Sequence, residues 1–262
     1  MRMAAKVLVV LGCFGVSGPS LAENAFSLGL GVTASEQSFG QGWRALPAPS
    51  FSVEYEGYRL ATRGPGLAAD LVPSRALSLG PLVRYSGGRE SEELPTKYQQ
   101  QADIPASAEV GVSIGSGIPW RVIGVPLPGI VTASADLVTT LPGGHETAVF
   151  APSVGWVSPV TERLTLIGAL GSQWGTEAHM TTFFGVEATP DTGVGAYQPE
   201  AGLKSLSLSL IASYQHTERW STIWLTSVNQ YQGDAADSPL VRDTGALNRV
   251  FLVWGVTYNG LF

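Results

Sequence analysis

The segment LKSLSLSLIASYQ, residues 203–215, alternates large apolar side chains with serine along most of its length. Successive side chains of a β-strand point to opposite sides of a sheet, so this segment predicts a strand with one apolar face and one hydroxyl face. Leu206 and Leu208 share the apolar face, and Ser207 and Ser209 share the other. The apolar face must meet either a protein core or the hydrocarbon of a membrane, and that choice decides the class of protein.

The same period-two alternation recurs in segments of about ten residues, the length that a tilted strand needs to cross a bilayer. Helical periodicity is scarcely visible, and no segment after residue 22 is both long and apolar enough for a membrane helix. We count about twelve strands, with ten as the alternative count. The predicted strands lie near 25–34, 47–56, 58–64, 76–85, 106–115, 129–140, 146–157, 163–173, 177–186, 203–215, 219–231 and 248–262.

Three features favour lipid over the core of a water-soluble β-sandwich. The polar strand faces are chiefly Ser, Thr and Gly, which fit inside a narrow closed barrel. The chain stops within an aromatic strand carrying Tyr258 and Phe262, which resembles the terminal signal read by the bacterial outer-membrane assembly machinery. Aromatic girdles mark membrane interfaces, and six of the seven tryptophans lie at or near predicted strand ends: Trp43, Trp120, Trp156, Trp174, Trp220 and Trp224. We therefore predict an all-β fold, a single transmembrane antiparallel β-barrel whose closure leaves no strand edge in hydrocarbon.

An even number of strands places both termini on the periplasmic side of the outer membrane, with short turns there and longer loops outside. The predicted periplasmic turns are Glu56-Gly57, Gly143-Gly144 and Thr217-Glu218, and the predicted outer loops include 188–202 and 233–248. The connection 87–105 is an exception, because this strand count places a long segment on the periplasmic side.

Residues 1–22 have the pattern of a secretory signal peptide. Two cations precede an apolar run at 7–16, and small residues lead up to Ala22. The run is too short to span a membrane, so we predict cleavage after Ala22 and a mature barrel domain at 23–262. A lipoprotein signal at Cys13 is the alternative. Cleavage after Ala22 removes the one cysteine and both cations, and the net charge then changes from −6 to −8, which argues against nucleic acid as a partner.

Glu54, Arg59, Arg63 and Arg84 are the clearest charged group on the predicted lumen face. A two-residue loop at 56–57 sets Glu54 directly across from Arg59, and the other two arginines share that face on neighbouring strands. Such a group either closes the barrel as an internal ion-pair network or forms a charged constriction in a pore. We favour the network, because a small lumen must neutralise its charges.

Motifs for catalysis or metal binding are weak. The three histidines are isolated, without the spacing of a metal site. The acidic loop 233–248 lacks the ligand spacing of a calcium loop. The match GVSIG at 111–115 lies in an alternating strand rather than in the strand-turn-helix that an exposed serine nucleophile needs. We therefore expect no enzymatic activity, no metal and no cofactor.

Five blocks of the chain resemble the MipA/OmpV family of outer-membrane proteins, also described as murein-hydrolase-interacting scaffold proteins, and they fall in the family's order. The blocks are 55–71, 77–93, 181–186, 196–214 and 233–248. The resemblance implies a non-enzymatic scaffold that links a murein hydrolase, a lytic transglycosylase, with a murein synthase, a penicillin-binding protein, in peptidoglycan growth. It brings no catalytic residues with it.

Two other functions fit the same predicted barrel. One is a narrow channel for small solutes, whose selectivity the lumen arginines would bias. The other is a surface adhesin that acts through the outer loops. If the chain is a scaffold, we expect the connection 87–105 to form its periplasmic contact surface.

Overall fold

A closed ring of twelve antiparallel strands forms the body of the protein. The structure, a computed structural model, describes residues 24–36, 42–74, 76–141, 147–190 and 193–261; the predicted signal peptide, Gly143-Gly144 and Phe262 lie outside these residues. Each strand pairs with its neighbours in sequence, and the first pairs with the last. The strands are β1 (Ala25–Glu36), β2 (Trp43–Tyr55), β3 (Tyr58–Arg63), β4 (Gly66–Asp70), β5 (Leu77–Ser86), β6 (Ser107–Pro119), β7 (Ile130–Thr140), β8 (Ala148–Pro159), β9 (Leu164–Gly175), β10 (Gly202–Gln215), β11 (Trp220–Tyr231) and β12 (Asn248–Leu261).

The described parts of the connections between strands contain three short α-helices. They are α1 (Glu177–Phe184), α2 (Gly233–Asp237) and α3 (Pro239–Thr244). Among the described residues, no helix has the length and apolar character needed to span a membrane.

The alternation read from the sequence decides which side chains face outward. In β10, Leu206, Leu208 and Leu210 are 46%, 53% and 49% exposed, whereas Ser205 and Ser209 are buried. The same apolar-out, small-in pattern recurs around the ring, and exposed aromatic side chains lie towards both ends of the wall: Tyr55, Tyr58 and Trp220 near the chain termini, and Trp43, Tyr85 and Trp174 at the opposite end. An apolar outer band with aromatic girdles is the surface of a transmembrane β-barrel. The predicted fold class is confirmed.

The predicted count of twelve strands is also confirmed, although two errors cancel within it. Segment 177–186, predicted as a strand, begins with α1, because it lies beyond the end of β9 and Thr176 caps it by accepting a hydrogen bond from the backbone N–H of His179. Conversely, β4 (Gly66–Asp70) was not predicted, since its five residues are too few to show an alternating pattern.

The missing β4 reverses the direction predicted for every strand between it and α1. The connection 87–106 therefore lies at the end opposite to both termini, together with α1, α2 and α3, and the prediction that it lies on the same side as the termini is wrong. The β7–β8 connection, which contains Gly143-Gly144, also joins its strands at that end. The predicted outer loops 188–202 and 233–248 do lie there. Because long loops of outer-membrane barrels face outward, we call this the outer end and the opposite one the periplasmic end.

The barrel is shorter along its axis at β3 and β4 than elsewhere. β3 and β4 have six and five residues, whereas the other strands have ten to fourteen. As a result β2 pairs with β1 from Trp43 to Glu54 but with β3 only from Ser52 to Tyr55. Beyond that point, the Phe51 amide donates to the Thr62 hydroxyl at 3.0 Å, and residues 43–50 have no strand partner on this side among the described residues.

Cysteine labelling tests this assignment of ends. We expect a membrane-impermeant maleimide to label Glu92→Cys, in the exposed part of the connection 87–106, on intact cells. Glu162→Cys, in the exposed β8–β9 turn, should be labelled only after the outer membrane is permeabilised. Cys13→Ser provides the blank, since Cys13 is the chain's one natural cysteine. The opposite labelling pattern would contradict the assignment.

Candidate functional site

The outer end of the barrel carries a folded cap with its own hydrophobic core. We define the outer cap as the connections 87–106, 176–201 and 232–247, of which the β9–β10 connection contains α1 and the β11–β12 connection contains α2 and α3. Apolar side chains from all three connections, with Tyr231 at the end of β11, pack together and are buried: Leu94, Tyr98, Met180, Phe184, Val186, Tyr231, Ala235, Leu240 and Val241. This core makes the cap a packed layer rather than a set of separate loops.

Polar contacts join the three connections of the cap across the mouth of the barrel. Lys97, from the β5–β6 connection, pairs with Asp243 of α3 at 2.5 Å between Nζ and Oδ2. The β5–β6 and β11–β12 hairpins are six strands apart in a ring of twelve, so they stand on opposite sides of the mouth. Arg89 donates to the carbonyl of Phe183 at 3.2 Å, which ties in the third connection. The cap therefore spans the outer mouth.

The predicted lumen residues Glu54 and Arg59 lie opposite each other on β2 and β3, as the two-residue turn at 56–57 predicted. Arg59 also lies opposite Asp70 on β4, so its register places it between two carboxylates. The Arg59 Nε donates to the hydroxyl of Ser52 at 3.1 Å. The structure brings these groups together on one side of the lumen, near the periplasmic end.

The other two predicted residues, Arg63 and Arg84, pair with carboxylates that the sequence analysis did not identify. Arg63 Nη2 lies 2.9 Å from Asp136 Oδ1, and Arg84 forms an ion pair with Glu109. Glu109 and Asp136 are the acidic residues of β6 and β7, and each follows small hydroxyl side chains on the lumen face of its strand. A carboxylate on the small-residue face of a strand was therefore the signal for both partners.

An apolar cluster lies on the opposite side of the lumen. Val157, Ile167, Ile211 and Leu225, from β8 to β11, form a buried cluster. Further lumen-facing side chains pack against it: Ile130, Ile223, Phe251 and Val253. The ion pairs thus lie among β3 to β7, whereas the larger apolar cluster lies among β7 to β12, where buried serines such as Ser209 and Ser227 also face the lumen.

His179 connects the cap to the barrel interior. This side chain of α1 is buried, and its Nε2 lies 3.1 Å from the ammonium of Lys204 on β10. An ammonium only donates, so the imidazole accepts through Nε2 and carries its proton on Nδ1. Burial, followed by the positive charges of Lys204 and Arg84, lowers the pKa of His179 to about 3.

Tyr258 of the last strand lies within an aromatic group at the periplasmic end. Its ring contacts Trp220 edge-on at 5.1 Å between centroids and lies 6.1 Å from the ring of Phe26 on β1. Its hydroxyl accepts a hydrogen bond from Arg219 at 3.4 Å. Phe262, the other predicted residue of the terminal signal, lies outside the described residues.

Taken together, the apolar outer belt, the ion-paired lumen and the packed cap define an outer-membrane β-barrel with a covered outer mouth. Comparison with protein families matches residues 28–259 to the family described as MltA-interacting protein MipA. The chain belongs to this family, as its sequence blocks predicted. A comparison with curated proteins finds no match.

Solved structures similar to this chain are membrane barrels of low sequence identity. The translocator domain of the autotransporter NalP from Neisseria meningitidis shares 12% identity, covers 91% of this chain and 89% of its own, and has a TM-score of 0.46. Outer-membrane expressed OmpT of Vibrio cholerae shares 7% identity over 92% and 99% of the two chains, with a TM-score of 0.41. A Pseudomonas aeruginosa FadL homologue shares 8% over 91% and 90%, with a TM-score of 0.35.

The Arg84–Glu109 pair provides a test of the lumen network. Glu109→Gln leaves a largely buried guanidinium without its carboxylate, so we expect the free energy of unfolding to fall by about 3 kcal/mol. The matched double variant, Arg84→Met with Glu109→Leu, removes both charges and should cost less than the single substitution. Urea unfolding of the folded barrel in detergent measures both, and a single variant as stable as the parent would contradict the network.

The low pKa of His179 predicts that acid weakens the cap. Unfolded histidine titrates near 6.5, so between this pH and about 3 the open cap binds more protons than the closed one, and closure is lost as the pH falls. The protection factors of the α1 amides, which correct for the intrinsic pH dependence of hydrogen exchange, should therefore be lower at pH 4.5 than at pH 7. The control, His179→Gln, has no titrating ring and should remove that difference; a pH effect of equal size in the control would refute the assignment.

Proposed function

We propose that the protein is a non-enzymatic scaffold of the outer membrane that holds a murein hydrolase together with a murein synthase during peptidoglycan growth. Membership of the MltA-interacting protein family carries this proposal. The barrel supplies a fixed platform in the membrane, and the two enzymes, a lytic transglycosylase and a penicillin-binding protein, would meet it from the periplasm.

The distribution of surfaces in the barrel supports a periplasmic role. The outer end is occupied by the cap, whose apolar side chains are buried among themselves. At the periplasmic end the connections share no buried apolar core among the described residues and are largely exposed. A partner in the periplasm would therefore contact the rim formed by these connections, rather than the segment 87–105.

The channel alternative receives less support. The cap crosses the outer mouth, and an apolar cluster lies on one side of the lumen. The charges on the other side are paired, since Arg63 and Arg84 each have a carboxylate partner. We propose accordingly that Glu54, Arg59, Arg63 and Arg84 stabilise the barrel.

Two further proposals concern how the protein reaches the membrane. Residues 1–22 would direct export and be removed after Ala22, leaving a chain without cysteine. The last strand, with Tyr258 and Phe262, would be the part that the outer-membrane assembly machinery reads. The contacts of Tyr258 with Trp220 and Phe26 form once β12 has paired with both of its neighbours. They therefore belong to the inserted barrel and not to the step of recognition.

A capture experiment tests the scaffold. The folded barrel, immobilised in detergent, should retain both a lytic transglycosylase and a penicillin-binding protein from solubilised envelopes, as identified by quantitative mass spectrometry. An unrelated barrel of similar size in the same detergent is the control, and neither enzyme should be enriched on it. If a correctly folded barrel retains neither enzyme, the scaffold proposal fails, and conductance recordings in planar bilayers would then decide whether the channel replaces it.

A further inference from the structure

Five connections form the rim at the periplasmic end, and they differ in chemistry. They are 56–57, 71–76, 120–129, 160–163 and 216–219. The β6–β7 connection, 120–129, is the longest of them and reads WRVIGVPLPG, with Arg121 as its one charge. Every residue from 121 to 128 except Val125 is exposed.

Backbone contacts hold the β6–β7 connection in one shape. The amide of Trp120 donates to the carbonyl of Gly129 at 3.2 Å and closes the base of the loop. A single 3₁₀ turn at Trp120–Ile123 ends at Gly124, whose φ of 81° suits glycine. The amide of Val125 then donates back to Trp120 at 3.1 Å, and two prolines stiffen the return. The loop is thus preorganised for binding.

The side chains that this loop displays are apolar. Val122, Ile123 and Leu127 are 67%, 48% and 55% exposed. The flanking connections add Leu71 at 58% and Val160 at 54%. We call these five residues the apolar arc. The outer cap of the same protein buries most of its large apolar side chains, so exposure of the arc is not a general property of its connections.

The position of the apolar arc favours a protein over lipid as its cover. Its three connections are consecutive along this rim and join β4 to β9, which is half of the ring. The two connections of the other half are polar: Glu56-Gly57 and the turn His216-Thr217-Glu218-Arg219. A leaflet surrounds a barrel on all sides, so contact with lipid alone gives no reason for the two halves to differ.

Charges near the arc indicate the chemistry of its partner. Arg121 and Arg163 are exposed beside it, and Glu162 is the one acidic side chain in the described parts of these three connections. Interfaces combine an apolar centre with a charged rim, and complementary charge at that rim increases the rate of association. An apolar groove bordered by carboxylates would match this surface.

We propose that the apolar arc is the docking surface for a periplasmic protein that presents an apolar groove bordered by acidic side chains. The inference rests on the proposed scaffold function and assigns that function to one half of the rim. A murein hydrolase of the lytic transglycosylase class is the partner to test first, because the family description specifies an interacting protein.

The test measures binding of a purified lytic transglycosylase to the barrel in lipid nanodiscs. The triple variant Val122→Ser, Ile123→Ser, Leu127→Ser should bind at least about tenfold more weakly, because a few apolar anchors at the centre of an interface carry most of its binding energy. The control, Glu56→Ser with Glu218→Ser, changes the polar half of the rim and should bind as the parent does. Heat-modifiable migration on a gel verifies that each variant is folded.

A charge reversal keeps the proposal testable even if the triple variant fails to fold. Arg121→Glu should weaken binding and reduce its dependence on salt, because it removes one attractive rim charge. A fluorophore on Ile123→Cys should be in water in the free barrel and protected when the hydrolase is added.

The outcomes separate the two proposals. If the parent and the triple variant bind equally, the docking surface is wrong while the scaffold stands. If the parent barrel does not bind the hydrolase, both the docking surface and the scaffold function are contradicted. Quenching of the Ile123→Cys fluorophore by brominated lipid in the free barrel would identify the arc as a membrane anchor, and barrel dimers that the triple variant abolishes would identify it as a self-association surface; either result overturns the proposal.

Discussion

Backbone hydrogen bonding is the constraint on which the rest of this structure depends. Hydrocarbon offers no partner to an N–H or C=O group, so a chain that crosses the membrane as strands must close them into a ring. Closure occurs where β1 meets β12, paired from Ala25–Leu261 to Ser35–Phe251. Once the ring is closed, period-two alternation assigns every side chain to lipid or to the lumen, which explains why one serine-leucine segment predicts the class of the whole protein.

The lumen shows how a small interior accommodates both charge and hydrocarbon. Ion pairs link β3 to β7 and β5 to β6, so each of these charges is neutralised by a neighbouring or nearby strand. The larger apolar cluster packs among β7 to β12.

The fold was more predictable than the site, and the reasons are physical. Alternation over ten or more residues identifies a strand without knowledge of its neighbours, as in β10. β4 has five residues, too few for that signal, and its omission reversed the predicted side of the connection 87–106. Glu109 and Asp136 carried a readable signal, but their pairing with Arg84 and Arg63 depends on the register of strands far apart in sequence. The exposure of the β6–β7 connection is likewise a property of the assembled rim.

Because β3 and β4 are short, residues 43–50 of β2 have an open edge on that side in the described part of the chain, and the sequence of β2 contains its own protection. The Phe51 amide points towards β3, where it donates to Thr62. Amides two and four residues earlier in the strand point the same way, and both belong to prolines, Pro49 and Pro47, which have no N–H. The open edge therefore lacks two of the donors that another strand would need for pairing. Pro47 and Pro49 thus disfavour the pairing of another strand with this edge. The short side of the barrel is therefore protected against edge-to-edge aggregation.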